Sequence, residues 1–174
     1  MKRLYKFGNG WLCDYHRSDI HRQIMAKVDR ENARAAKAGL PADLSYEQWQ
    51  RALNYYIVLQ HPEVPAYVLS CAYCGQNIGT NWGVDHWIAI TQGGGTTVSN
   101  CIPCCSFCNI QKGALPGNAF FELLITRYQS TNAPVLYERA KKYFLLVKAG
   151  DEAFEHFLQE RMDNEHLVWN SPIT

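Results

Sequence analysis

Two short cysteine pairs constrain this chain more than any other feature. Cys71-Ala-Tyr-Cys74 and Cys105-Ser-Phe-Cys108 share the Cys-x2-Cys spacing and are separated by thirty residues. Each pair can offer two thiolates to one ion, and two pairs complete a tetrahedral sulfur set of the kind that holds zinc. With all four positions filled by protein, such a site is structural and leaves no vacancy for a substrate. Gly75 directly after the first pair suits the tight turn of a knuckle. Cys101-x2-Cys104 is a rival downstream pair, and the choice of Cys105 with Cys108 rests on the residues that follow them. Cys13, Cys101 and Cys104 then read as core or partly buried thiols.

Seven cysteines would leave one thiol over in a full disulfide set. The basic N-terminus has no apolar run long enough for a signal peptide, and no segment approaches the roughly 20 apolar residues that span a bilayer. The expectation is a protein of a reducing cytoplasm, bacterial or phage-encoded, with no membrane partner and with thiols that serve as metal ligands. Hydrophobic residues form 47% of the chain and aromatics 13%, enough to bury a core and to exclude disorder as the dominant state. A net charge of +1 names no partner, but its distribution is uneven. Residues 1–37 carry nine Lys/Arg against four Asp/Glu, whereas 151–165 carry six acids against one Arg. A nucleic-acid-facing front half with an acidic tail fits this asymmetry, as do ordinary solvated helix faces.

Periodicity and punctuation predict mostly helices outside the knuckles. Ser18 is a candidate N-cap for a helix ended by Gly39 and Pro41, with Ile20, Ile24 and Val28 on one face and His21, Arg22, Lys27, Arg30, Arg34 and Lys37 on the other. Ser45 with Gln48 forms a capping-box pattern for a helix over 46–60, whose Trp49, Leu53, Tyr56 and Ile57 make an apolar core stripe. Tyr67-Val68-Leu69 reads as a short strand entering Cys71, and Val84 to Ile90 as a second strand. Gly93-Gly94-Gly95 must be a loop. A short helix is expected from Cys105 to Lys112, closed by Gly113, followed by helices over roughly 118–130, 134–149 and 151–163 with Gly150 as a stop. The division that follows is a helical region at 1–66, a core at 67–116 and a helical extension at 117–174.

Between and just after the knuckles stand Asp85-His86, the glycine loop, Asn100, Asn109 and Lys112-Gly113, and an Asp-His dipeptide alone is a weak signal of chemistry. Asp85 and His86 are adjacent, so in a regular strand their side chains point to opposite faces. They converge on one site only if the strand is distorted there or the site lies at its edge.

The run Cys-x-Tyr-Cys-Gly, Asp-His, a glycine-rich loop, Asn, then Cys-x2-Cys-Asn-x2-Lys-Gly resembles the zinc-knuckle branch of the HNH endonucleases over residues 71 to 113. The segment Leu44-Ser45-Tyr46-Glu47-Gln48-Trp49 also looks like the stretch preceding the first knuckle in many phage and bacterial members. The resemblance implies an α+β fold: a ββα-metal core with a structural four-cysteine zinc site at Cys71, Cys74, Cys105 and Cys108, flanked by helices. It implies that His86 is the general base, that Asn100 stabilises the loop and orients His86, and that Asp85 and Asn109 ligate the catalytic cation. Two positions depart from the family's pattern: Ala89 stands where Pro is frequent, and Cys101 where an aliphatic residue is frequent.

The activity implied is hydrolysis of DNA phosphodiesters, double-stranded DNA being the expected partner. A histidine with a pKa near about 6.5 suits a base at neutral pH. Oxygen ligands select Mg²⁺ or Mn²⁺ while thiolates select Zn²⁺, so two metals can coexist. Lys112 either meets a phosphate or solvates the helix end, and Arg22, Arg30 and Arg34 offer a DNA-backbone clamp at helical spacing. Arg127, Arg139, Lys141 and Lys142 are a weaker second group. The acidic C-terminal segment is expected to face away from DNA or to contact a partner protein. A lone HNH site cuts one strand, so double-strand cleavage requires a second site, a homodimer or sequential nicks. The alternative from another class is a zinc-stabilised DNA-binding or assembly module without catalysis.

Overall fold

A computed structural model of the chain describes residues 4–7, 10–59, 67–79 and 81–163. It begins with a hairpin, β1 (Leu4–Phe7) against β2 (Gly10–Cys13), which runs directly into α1 (Asp14–Lys37). This helix starts four residues before the expected Ser18 cap. Cys13 ends β2, and its side chain lies outside the described residues.

α2 (Tyr46–Tyr56) opens on the expected capping box: the Ser45 hydroxyl accepts from the Gln48 amide at 3.2 Å, and the Gln48 side chain accepts from the Ser45 amide at 2.9 Å. Reciprocal caps of this kind are worth about 1 kcal/mol, enough to set where a helix begins. The helix ends earlier than its apolar periodicity predicts. Ile57 leaves the helix to start β3 (Ile57–Leu59), which pairs antiparallel with β4 (Tyr67–Leu69). A branched Ile-Val pair gains more from strand pairing than from another helical turn, so tertiary contact overrides the local pattern.

β4 delivers the chain into the first knuckle. The Cys71 amide donates to the Gln76 carbonyl and the Gly75 amide to the Cys71 carbonyl, closing a turn in which Gly75 has φ +71. A side chain there would adopt a backbone state that only glycine enters without strain. The Ala72 amide then donates to the Pro103 carbonyl, joining this knuckle to the central hairpin. That hairpin pairs β5 (Gly83–His86) with β6 (Cys101–Cys104) in the register Asp85 to Ile102 and His86 to Cys101. The strand expected to reach Ile90 stops at His86, and a 3-10 turn follows at Ile90–Gln92. α3 (Ser106–Lys112) completes a ββα unit. α4 (Gly117–Thr126) and α5 (Ala133–Ala149) then pack against it, and α6 (Asp151–Asp163) packs on α5 and α2, with Gly150 between the last two helices as expected.

The core is aromatic. Tyr73 meets Phe120 and Phe121, Trp87 meets Phe144 and Tyr137, and Tyr55 and Tyr56 meet Tyr143. At roughly 1.5–3 kcal/mol per buried large side chain, these contacts bind the HNH-like segment to both flanking helical regions. Arg139 belongs to this core and not to a basic surface. Its guanidinium donates to the Ser70 hydroxyl and the Tyr55 carbonyl, each at 2.9 Å, and lies over the Tyr56 ring. No helix among the described residues is long and apolar enough to cross a membrane.

Candidate active site and metal centre

The four knuckle cysteines converge. The Sγ atoms of Cys71, Cys74, Cys105 and Cys108 all lie within 4.8 Å of one another, and Cys74 and Cys105 are 3.9 Å apart. Zn–S bonds of about 2.3 Å in a tetrahedron place sulfurs about 3.8 Å apart, so the set suits one zinc ion. Amide donors support the thiolates: Cys105 N–H points at Cys71 Sγ at 3.4 Å and Cys108 N–H at Cys105 Sγ at 3.3 Å. Hydrogen bonds from its Cys108 and Cys71 neighbours hold the Cys74 thiol down at about 4. Its own bonds to Cys71 and Cys74 push Cys108 up. Thiolate character is thus favoured at Cys74, the form in which a cysteine ligates zinc. Cys101 and Cys104 sit buried in β6 opposite His86 and Gly83 and are not members of this cluster.

The second cluster lies at the end of the hairpin. A cleft of about 320 Å³ is lined by Asp85, His86, Asn109, Lys112 and Arg34 among others. The conflict between adjacent side chains is resolved by the strand itself. His86 is the last residue of β5, so Asp85 and His86 both line the cleft at the point where regular pleating ends.

Asp85 is 3% exposed, and both of its oxygens are engaged. Oδ2 accepts from the Tyr73 hydroxyl at 2.7 Å, and Oδ1 lies 3.4 Å from the Lys112 ammonium. Burial outweighs these two partners and raises the carboxyl to about 6. Lys112 is 2% exposed, and its ammonium also donates to the His86 carbonyl at 2.7 Å. Lys112 is therefore neither the solvated helix-end charge nor the free phosphate contact that its position at the end of α3 suggested. Its ammonium is held within the protein, bracing Asp85 and the end of β5. Tyr73, from within the first knuckle, completes this brace.

The His86 ring hydrogen-bonds through Nε2 to the Thr96 hydroxyl at 2.8 Å. Burial first, then the Arg34 and Lys112 charges, lower its pKa to about 4. The ring is therefore neutral, with a lone pair available, at physiological pH.

Asn100 acts one step away. Its Oδ1 accepts from the Ile88 amide at 2.8 Å, while Nδ2 donates to the Ile88 carbonyl at 3.0 Å and the Gly95 carbonyl at 2.8 Å. Both amide hydrogens are used on the loop, so Asn100 pins residues 88–95 and has no N–H left for His86. Gly94 fits this loop because a Cβ there would lie 1.7 Å from the Ile88 carbonyl oxygen.

Of the three basic residues expected on α1, Arg34 lines the cleft; it is exposed and paired with Glu31 at 2.5 Å. Arg22 and Arg30 are exposed on the same helix. Lys27 turns back onto Trp82, donating to its carbonyl. Nothing in the sequence placed Thr96 or Tyr73 in the site, because their contacts reach across ten and twelve residues, one within the hairpin loop and the other from knuckle to strand.

Residues 71–115 match the family model for HNH endonucleases, a stretch that takes in both knuckles and the cleft residues Asp85, His86, Asn109 and Lys112. That family is one of nucleases, and the four-cysteine cluster is of the zinc-binding kind. No curated protein matches the chain.

Proposed function

We propose that this protein is a metal-dependent endonuclease that hydrolyses DNA phosphodiesters, with His86 as general base. The observation that carries the reading is the shared cleft: a neutral histidine, a buried carboxylate and an amide side chain line one opening, with an arginine at its edge. A binding module needs no such combination.

The residues suit a hard divalent cation. Asp85 and Asn109 supply oxygen donors, the chemistry that Mg²⁺ and Mn²⁺ prefer. Asp85 is a buried carboxyl whose proton affinity is raised by desolvation, a cost that a bound dication relieves. When bound, the cation supplies charge stabilisation at the scissile phosphate and at the departing 3′ oxygen. His86 accepts a proton from the attacking water, and Arg34 offsets phosphate charge at the cleft edge. Zn²⁺ at Cys71, Cys74, Cys105 and Cys108 ties the first knuckle to the start of α3 and takes no part in the reaction. Double-stranded DNA, met across the exposed face of α1 through Arg22, Arg30 and Arg34, is the substrate that this charge distribution favours.

The test is plasmid DNA incubated with Mg²⁺ or Mn²⁺. Nicked or linear product that EDTA abolishes is expected, and His86→Ala should cut on the order of 10²-fold or more slowly while keeping its zinc and circular-dichroism spectrum. Undiminished cutting by that variant would remove His86 from the role of base. DNA binding without any cutting by the wild type would leave the zinc-stabilised binding module as the better account.

A further inference from the structure

Thr96 follows the three glycines of the loop, is wholly buried, and is tied at every polar atom. Its amide donates to the Pro41 carbonyl at 2.8 Å, and its carbonyl accepts from the Asp43 and Leu44 amides at 3.1 Å each. Its hydroxyl stands between the His86 Nε2 and the Glu31 carbonyl of α1, at 2.8 and 2.9 Å. The directions of these two bonds follow from chemistry alone. A carbonyl oxygen can only accept, so the single hydroxyl proton goes to Glu31. Toward His86 the hydroxyl oxygen can then only accept, so Nε2 must carry the ring proton. In a neutral imidazole this leaves Nδ1 with the lone pair.

We propose that Thr96 is the positioning residue of the general base: by donating to the Glu31 carbonyl and accepting from His86 Nε2–H, it fixes the tautomer in which Nδ1 receives the proton. The proposal rests on His86 being the base. It gives the N-terminal helix a place in the active site, because the acceptor that orients the hydroxyl is the backbone of α1. Asn100, with both amide hydrogens on the loop, holds the backbone that leads into Thr96 and leaves the ring to it.

The experiment compares wild type with Thr96→Val and Thr96→Ser as zinc-loaded, magnesium-free proteins labelled with ¹⁵N at histidine. The His86 signals are assigned by their loss in His86→Gln. Wild type and Thr96→Ser should both show the proton on Nε2 and should cut plasmid at rates within a few-fold of each other. Thr96→Val keeps the shape but removes the hydroxyl. It should show a mixed or Nδ1–H ring and lose on the order of 10²-fold in kcat, with KM for DNA little changed. A wild-type ring protonated at Nδ1 would overturn the proposal, whether or not the valine variant folds. So would a valine variant that retains the Nε2 proton and full cutting, or a serine variant that folds but loses both. A wild type with the Nε2 proton but no nuclease activity would sink the assignment of His86 as base while leaving its orientation by Thr96 in place.

Discussion

Asp85 carries the sharpest conflict at the level of single residues. Its carboxyl is buried, raised to about 6, and braced by Lys112 and Tyr73. A protonated carboxyl must lose its proton before it can ligate a cation, so metal binding should release a proton wherever Asp85 is protonated in the free protein. Mn²⁺ affinity should therefore fall as pH drops below about 6 and level off above about 7. Calorimetric titration at pH 5.5 and 7.5, in buffers of different ionisation heat, would report both the affinity and the released proton. His86, held at about 4, remains neutral through this window and should not contribute a second proton. Lys112 gives a stability prediction at the same scale. Lys112→Met leaves a buried carboxylate without its cation, and loss of one partner of a buried pair costs about 3–5 kcal/mol. A denaturant midpoint within error of the wild type would show that the brace contributes nothing.

Among the elements, the loop between β5 and β6 decides whether the site is formed. It runs over residues 87–100 and is pinned by Asn100 through three hydrogen bonds and by the buried Thr96 hydroxyl. Gly94 is the position that cannot grow, since a methyl would overlap the Ile88 carbonyl and crowd the Asn100 amide at 2.8 Å. Gly94→Ala should lower stability by about 1–3 kcal/mol or more and reduce cutting with it, while the zinc-to-protein ratio stays unchanged. Thermal melts, plasmid cutting and zinc analysis on one preparation would check all three. Zinc loss would mean that loop and knuckles are a single unit. The helices outside the core behave differently: α2 was legible through Ser45 and Gln48 because a cap is a contact between residues three apart. Its early end at Tyr56 was not, because β3 exists only when β4 lies beside it.

At the scale of the whole molecule, the segment that matches the HNH model is tied to its flanks on both sides. Thr96 is tied to Pro41, Asp43, Leu44 and Glu31, and the Gly117 amide donates to the Trp87 carbonyl. Tyr73 and Trp87 of the core lean on rings from α4 and α5. A fragment of residues 67–116 should therefore fail to give a dispersed NMR spectrum even with equimolar zinc, whereas the full chain should give one. A folded, cutting fragment would show that the flanks serve only DNA contact. For the full chain, zinc binding and folding are linked, so Cys71→Ala should lose the near-ultraviolet dichroism of the aromatic core, not merely a metal ion.

The sequence by itself determined whatever depends on residues close along the chain. The knuckle pairs, the capping box and the stop at Gly150 could be read from spacing, because the cause of each acts over a few residues, whereas Asp85, His86, Asn100 and Asn109 became candidates through the resemblance to a known family. Only the tertiary structure decided that β5 ends at His86 and so brings Asp85 and His86 to one cleft. It also turned Lys112 and Arg139 inward and set Thr96 on the His86 ring. A charge is solvated or buried according to what packs over it, and a hydroxyl is idle or decisive according to the partners within its reach. Neither is a property of the residue's place in the chain.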